Sequence, residues 1–128
     1  MAASGSYMAV AIKSTVDMST YQYRVVEVDG TLGVSPSSAI GIAQDHPTNV
    51  GLGVTVGYHG QMKGYAGGTI TAGAGLTVSS GGWLTAYTAP ASGAISPGRV
   101  GKALVAASSG GLVEGLFDFT AAGSNGGI

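Results

Sequence analysis

The chain has 128 residues, 24 of them glycine and 4 proline, no cysteine, and a formal net charge of −1 from five basic and six acidic side chains. This length suits one domain with one core, and the 45% hydrophobic content offsets chain entropy well enough to argue against disorder. Absent cysteines exclude disulfides and thiolate chemistry, and the sparse, scattered charge gives no basic patch for nucleic acid.

Residues 1–20 read as an N-terminal arm or a first strand. Small polar residues at Ala2 to Ser6 precede a short alternation from Tyr7 to Ile12, which places Met8, Val10 and Ile12 on one face if extended. The start lacks the basic region that opens a signal peptide, and no apolar run is long enough for a membrane helix. The expectation is synthesis in a cytoplasm and no membrane partner.

Tyr21 to Val28 alternates tyrosine, valine and polar residues before Asp29-Gly30, which predicts a strand, a turn and a return strand over Thr31 to Val34. Tyr21 and Tyr23 would share one face of that strand. Ser35 to Ser38 is a loop, Ala39 to Ala43 a short buried strand, and Asp45 to Asn49 a turn. Leu52 to Val56 is a strand ended by Tyr58, His59 and Gly60, with another at Gln61 to Tyr65.

Residues 67–98 contain no Asp, Glu, Lys or Arg. Within them Leu76 to Val78 and Trp83 to Tyr87 flank Ser79, Ser80, Gly81 and Gly82, which predicts a hairpin. Trp83, Thr85 and Tyr87 would point one way and Leu84 the other. Part of so uncharged a segment is expected to be covered by another subunit or by a partner. Arg99 to Ala107 is ambiguous between helix and strand, because alanine and leucine favour one and Val100, Gly101 and Val105 the other. Leu112 to Phe117 is a strand, and 120–128 a flexible tail. The β domain thus spans 21–119. Many short strands with Gly and Pro punctuation predict an all-β sandwich or small barrel.

Little in the chain suggests a reactive centre. Asp45, His46 and His59 invite a triad with Ser35, Ser37 or Ser38, yet no Gly-x-Ser-x-Gly elbow occurs and turn chemistry explains Asp45 to Pro47. Two histidines without a third spaced ligand specify no metal site. The glycine runs at 51–57 and 67–75 lack a phosphate-loop pattern and read as bends within strands. No catalytic, cofactor-binding or metal-binding residue is assigned, and no enzyme activity or cofactor is expected.

Two stretches carry a family resemblance. Ile70-Thr-Ala-Gly-Ala-Gly-Leu-Thr-Val-Ser-Ser-Gly-Gly-Trp-Leu-Thr-Ala86 and the run from Val100 to Phe117, with its Gly-Lys-Ala-Leu-Val-Ala-Ala segment, resemble the small capsid decoration, or cement, proteins of tailed bacteriophages. Ala39 to Ala43 is similar to the short glycine-centred strand of that family. The likeness is good over 67–117, weak over 21–66 and absent at the ends.

The resemblance implies a barrel-like (β-tulip-like) single domain that trimerises on the outside of an icosahedral head and bridges major capsid subunits. The expected partners are the major capsid protein and two further copies of the chain. Interface candidates are Tyr7, Met8, Val10, Ile12, Trp83, Leu84 and Tyr87. Two rival readings stay open at this point. One is a carbohydrate- or cell-surface-binding β-sandwich with Trp83, Tyr87 and Tyr58 as a stacking platform. The other is a small hydrolase using Asp45, His46 and a serine.

Overall fold

A computed structural model describes residues 7–33, 38–47, 50–51, 53–88 and 98–119. Eight strands form one sheet, and there is no helix among the described residues. They are β1 (Tyr7–Lys13), β2 (Val25–Glu27), β3 (Ala39–Ala43), β4 (Gly53–Tyr65), β5 (Gly75–Ser79), β6 (Trp83–Ala86), β7 (Gly101–Ala103) and β8 (Leu112–Asp118). The order is β2-β3-β4-β8-β7-β5-β6, with β1 paired to β4. All seven strand pairs among the described residues are antiparallel.

The ends of this order nearly meet. The Val25 amide donates to the Gly82 carbonyl at 2.9 Å, and the Gly82 amide donates to the Gly33 carbonyl at 2.9 Å. Gly82 sits at φ +79°, and a Cβ there would come within 2.7 Å of the Val25 carbonyl oxygen, so glycine is what lets the two backbones touch. Along the other side of β6, the Gly67 amide donates to the Leu84 carbonyl at 2.8 Å beside a parallel bridge between Ala66 and Leu84. The outcome is an all-β, nearly closed barrel.

Alternation puts one face of each strand inside. Val25, Ile42, Met62, Leu76, Val78, Leu84, Val113 and Phe117 form the main core, with Ile70, Val100 and Phe119 from the connections. A smaller cluster of Met18, Val26, Ala43, Val54 and Val56 is covered by Ile12, Val16, Tyr21, Leu32 and Ile40. The segment after β1 therefore closes a second core rather than trailing from the first.

Several expectations hold. The β5–β6 hairpin turns through Gly81 and Gly82, both at positive φ, with Ser79 opposite Trp83. Ala39–Ala43 and Leu112–Asp118 are strands, and Gly30 lies at φ +85° in the turn after β2. The ambiguous stretch at 99–107 is a three-residue strand followed by bends.

Three details differ from the sequence reading. The strand expected from Tyr21 contracts to Val25–Glu27, because Tyr23 adopts φ +70°. Its amide donates to the Ala43 carbonyl at 2.7 Å and its carbonyl accepts from the Tyr65 amide at 3.0 Å, which holds that unusual conformation in place. Tyr21 and Tyr23 consequently do not share a face: Tyr21 packs on the smaller core and Tyr23 on the larger. The two strands expected around Gly60 are one, since β1 pairs with residues 53–60 and β8 with 59–65. Gly60, at φ +122°, bends β4 without ending it. The expected tail at 120–128 and the loop at 35–37 lie outside the described residues.

Candidate interaction surfaces

β1 is paired with β4 along its whole length, yet Met8 and Val10 are 57% and 43% exposed. The register shift between Met8 and Ala9 leaves Tyr58 of β4 as the extra residue, a bulge on the β4 side. Val10 and Ile12 line an open groove of about 520 Å³ together with Val28, Ala39, Ile40, Tyr58 and Phe119, and Met8 does not. Every residue lining this groove is apolar or aromatic. Val28, which follows β2, is 74% exposed at its edge. Tyr7 is half-buried and packs on the main core.

A second apolar surface lies on the outside of the barrel at β7 and β8. Val113, Gly115 and Phe117 point inward, so Leu112, Glu114 and Leu116 face out. Lys102 stands opposite Leu116, and the Leu104 amide donates to the Glu114 carbonyl at 2.8 Å, which continues the outward row of β7. Leu104, Val105, Leu112 and Leu116 are 43%, 46%, 39% and 48% exposed. Sequence reasoning missed this surface, although the parity of β8 carried the signal, because both faces of that strand are rich in apolar residues.

The aromatic candidates have another employment. The Arg24 guanidinium lies 3.8 Å from the centroid of Trp83, 5.3 Å from that of Tyr21 and 5.9 Å from that of Tyr65. Its Nη1 donates to the Gly81 carbonyl at 2.7 Å. Trp83 also meets Tyr65 edge to face at 6.1 Å. Arg24 thus clamps the hairpin turn to the lead-in of β2, across the seam that closes the barrel, with π faces where an ion pair would ordinarily stand.

One face of Trp83 is occupied, and Tyr58 lies in the apolar groove, so the stacking platform of Trp83, Tyr87 and Tyr58 is not assembled. Tyr87 is half-buried after β6, its amide donating to the Gly75 carbonyl at 2.8 Å. Leu84 is wholly buried in the chain's own core and presents nothing to a partner. Among the described residues of 67–98, no large apolar side chain is exposed, and Ile70, Leu76, Val78 and Leu84 lie in the core.

The polar groups explain turns. The Asp45 carboxylate accepts the Thr55 amide at 3.0 Å, and Ser38 Oγ donates to Glu27 at 2.7 Å. The bonds shown for Asp45 and Ser38 run to partners other than a histidine, and Ser35 and Ser37 lie outside the described residues. Hydrogen bonds from the Ser19 amide and side chain hold the Asp17 carboxyl below its usual range, and the Thr31 hydroxyl and amide do the same for Asp29. No group of three His, Asp or Glu side chains placed to hold a metal ion occurs among the described residues.

No protein-family model matches the sequence, and no curated protein matches it. Among solved structures, the chain is similar to the N base of the head fiber protein gp8.5 of bacteriophage phi29, with a TM-score of 0.64 and 17% sequence identity. The match covers 88% of this chain and 96% of that one. What the two share is the fold. It extends over nearly the whole of both, so the barrel described above is the common unit, while at this level of identity the side chains on its surfaces are this chain's own.

Proposed function

We propose that the chain is a structural protein of a tailed-phage virion, seated on the outside of an icosahedral head as a homotrimer, where it strengthens contacts between major capsid subunits. The observation that carries this reading is the likeness, across nearly the full length of both chains, to the base of a phage head fiber. The sequence resemblance of residues 67–117 to capsid decoration proteins points the same way. In this reading the chain is made in the host cytoplasm, has no catalytic role and needs no cofactor.

The surfaces give the reading a physical basis. Only eleven ionic side chains are spread over the chain, whereas two apolar areas lie open on the barrel. Areas of that kind mark contacts with other proteins. A trimer that makes three modest contacts with one shell gains affinity by linkage, by about 10²-fold or more over a single contact.

The test is co-sedimentation of the purified chain with heads of the phage whose genome encodes it, combined with light scattering for its mass in solution. Saturable binding by a trimer is the expected result. A chain that stays in the supernatant at micromolar concentration beside intact heads would remove the proposal.

A further inference from the structure

Next to the Arg24 clamp, Gly67, Ser79, Trp83, Ser109 and Gly110 line a pocket of about 230 Å³ that the virion reading leaves unused. Separate stretches of the chain build it. Ser79 and Trp83 stand opposite each other in the β5–β6 ladder, which brings their side chains to one face. Gly67 lies just past β4, and its amide bonds the carbonyl of Leu84, the neighbour of Trp83, at 2.8 Å. Ser109 and Gly110 belong to the turn before β8, which is tied to Ala66 twice: the Gly110 amide donates to the Ala66 carbonyl and the Ala66 amide to the Gly111 carbonyl, both at 2.8 Å. Arg24 stacks on Trp83 at 3.8 Å and fixes the plane of the indole. The walls are thus held before any ligand arrives, so binding need not order them.

The chemistry of these walls selects the ligand. No charged side chain lines the pocket, so a phosphate, carboxylate or ammonium group entering it would lose water without gaining a counter-charge. The half-buried indole supplies an apolar wall whose negative π face suits weakly positive C–H groups. The Ser79 and Ser109 hydroxyls, each donor and acceptor at once, have no hydrogen-bond partner among the described residues. A pyranose carries the matching pair of surfaces, an apolar C–H side and a rim of hydroxyls that both donate and accept. The volume lies below the roughly 300–1,000 Å³ of sites for drug-sized ligands, which suits a single ring.

We infer that this pocket binds one neutral hexose or N-acetylhexosamine unit of a glycan, with the ring packed on Trp83 and its hydroxyls bonded by Ser79 and Ser109. The site differs from the platform of Trp83, Tyr87 and Tyr58, which the fold does not assemble. It goes beyond the virion reading and stands or falls separately from it.

The test is titration of the full chain with methyl glucoside, methyl galactoside and N-acetylglucosamine, read by the fluorescence of the single tryptophan and by saturation-transfer NMR. The wild type should bind at least one of them with a Kd of roughly 1 mM or below. Ser109→Ala should weaken binding about 2- to 10-fold, as on loss of one hydrogen bond. Ser109→Phe, whose ring fills the pocket, should abolish it. Ser109 is exposed in a turn, so both variants should fold, which circular dichroism verifies. Should Ser109→Phe fail to fold, a double variant of Ser79→Ala and Ser109→Ala takes its place, with a loss larger than that of Ser109→Ala alone. No response to any of the three sugars at about 50 mM, far above the expected Kd, would overturn the inference. Binding that persists unchanged in the Ser109 variants would overturn it too, since the sugar would then sit elsewhere. Neither result touches attachment to phage heads, which co-sedimentation reads independently.

Discussion

Gly64 and Leu84 face each other inside the barrel, and their packing can be measured as a coupling. Leu84 is wholly buried, and a Cβ built on Gly64 would overlap its Cδ1 and lie 3.3 Å from Ile42 Cδ1. Leu84→Ala removes a buried isobutyl group and should cost about 3 kcal/mol, from lost transfer energy plus the cavity left behind. Gly64→Ala should cost about 1–2 kcal/mol, because the added methyl overpacks a filled site while the stiffer unfolded chain offsets part of that. In the double variant the new methyl enters the space that Leu84 has vacated. The clash disappears and the cavity shrinks, so the double variant should be more stable than Leu84→Ala alone, with a coupling of about 2–3 kcal/mol. Urea unfolding at 25 °C, followed by the fluorescence of the single tryptophan, reads all four proteins. Strictly additive losses would mean that the two positions do not share this space, and the packing argument would fail.

Arg24→Lys should lose about 1–2 kcal/mol, since an ammonium cannot stack its plane on Trp83 while bonding the Gly81 carbonyl. The loss should be nearly equal in low and high salt; a strong salt dependence would point to a carboxylate partner instead. Gly82→Ala should destabilise by about 1–3 kcal/mol, because it combines a positive φ with contact on the Val25 carbonyl, and a urea midpoint within error of the wild type would contradict the seam described here. The Asp29 carboxyl has a folded-state pKa below its ordinary value of 3.8, so the stability it contributes is present above that value and is lost as pH falls through the lowered folded-state value. Asp29→Asn should flatten the fall in stability over that acid range, and an unchanged acid limb in urea titrations would refute the assignment.

How far the sequence reveals this fold depends on the range of the interaction that decides each element. The β5–β6 hairpin is set by neighbours: Leu76, Val78 and Leu84 alternate around two glycines that alone tolerate the turn. The strand β3 is likewise announced by its apolar run. By contrast, β4 continues through Gly60 because β1 and β8 both pair there, and nothing local to Tyr58 and His59 signals those partners. The early end of β2 depends on Ala43 and Tyr65, which bond Tyr23 from distant parts of the chain. For the surfaces, Val10 and Ile12 could be singled out from alternation in the first strand. The groove itself needs Val28, Tyr58 and Phe119, which only the closed barrel brings together.

Scarcity of charge has different consequences in different parts of the barrel. Within residues 67–88, Ile70, Leu76, Val78 and Leu84 lie in the core, where an ionised group without a partner would cost several kcal/mol. At the seam the one cation present, Arg24, is held against aromatic rings and a carbonyl, so closure of the barrel does not call on an acidic residue. The other charges are few and of both signs: Glu114 faces out between Leu112 and Leu116, and Lys102 stands opposite Leu116, so the outer apolar surface of β7 and β8 carries its own acid and base. Asp29 likewise stands exposed beside Val28, so neither open apolar area is free of charge.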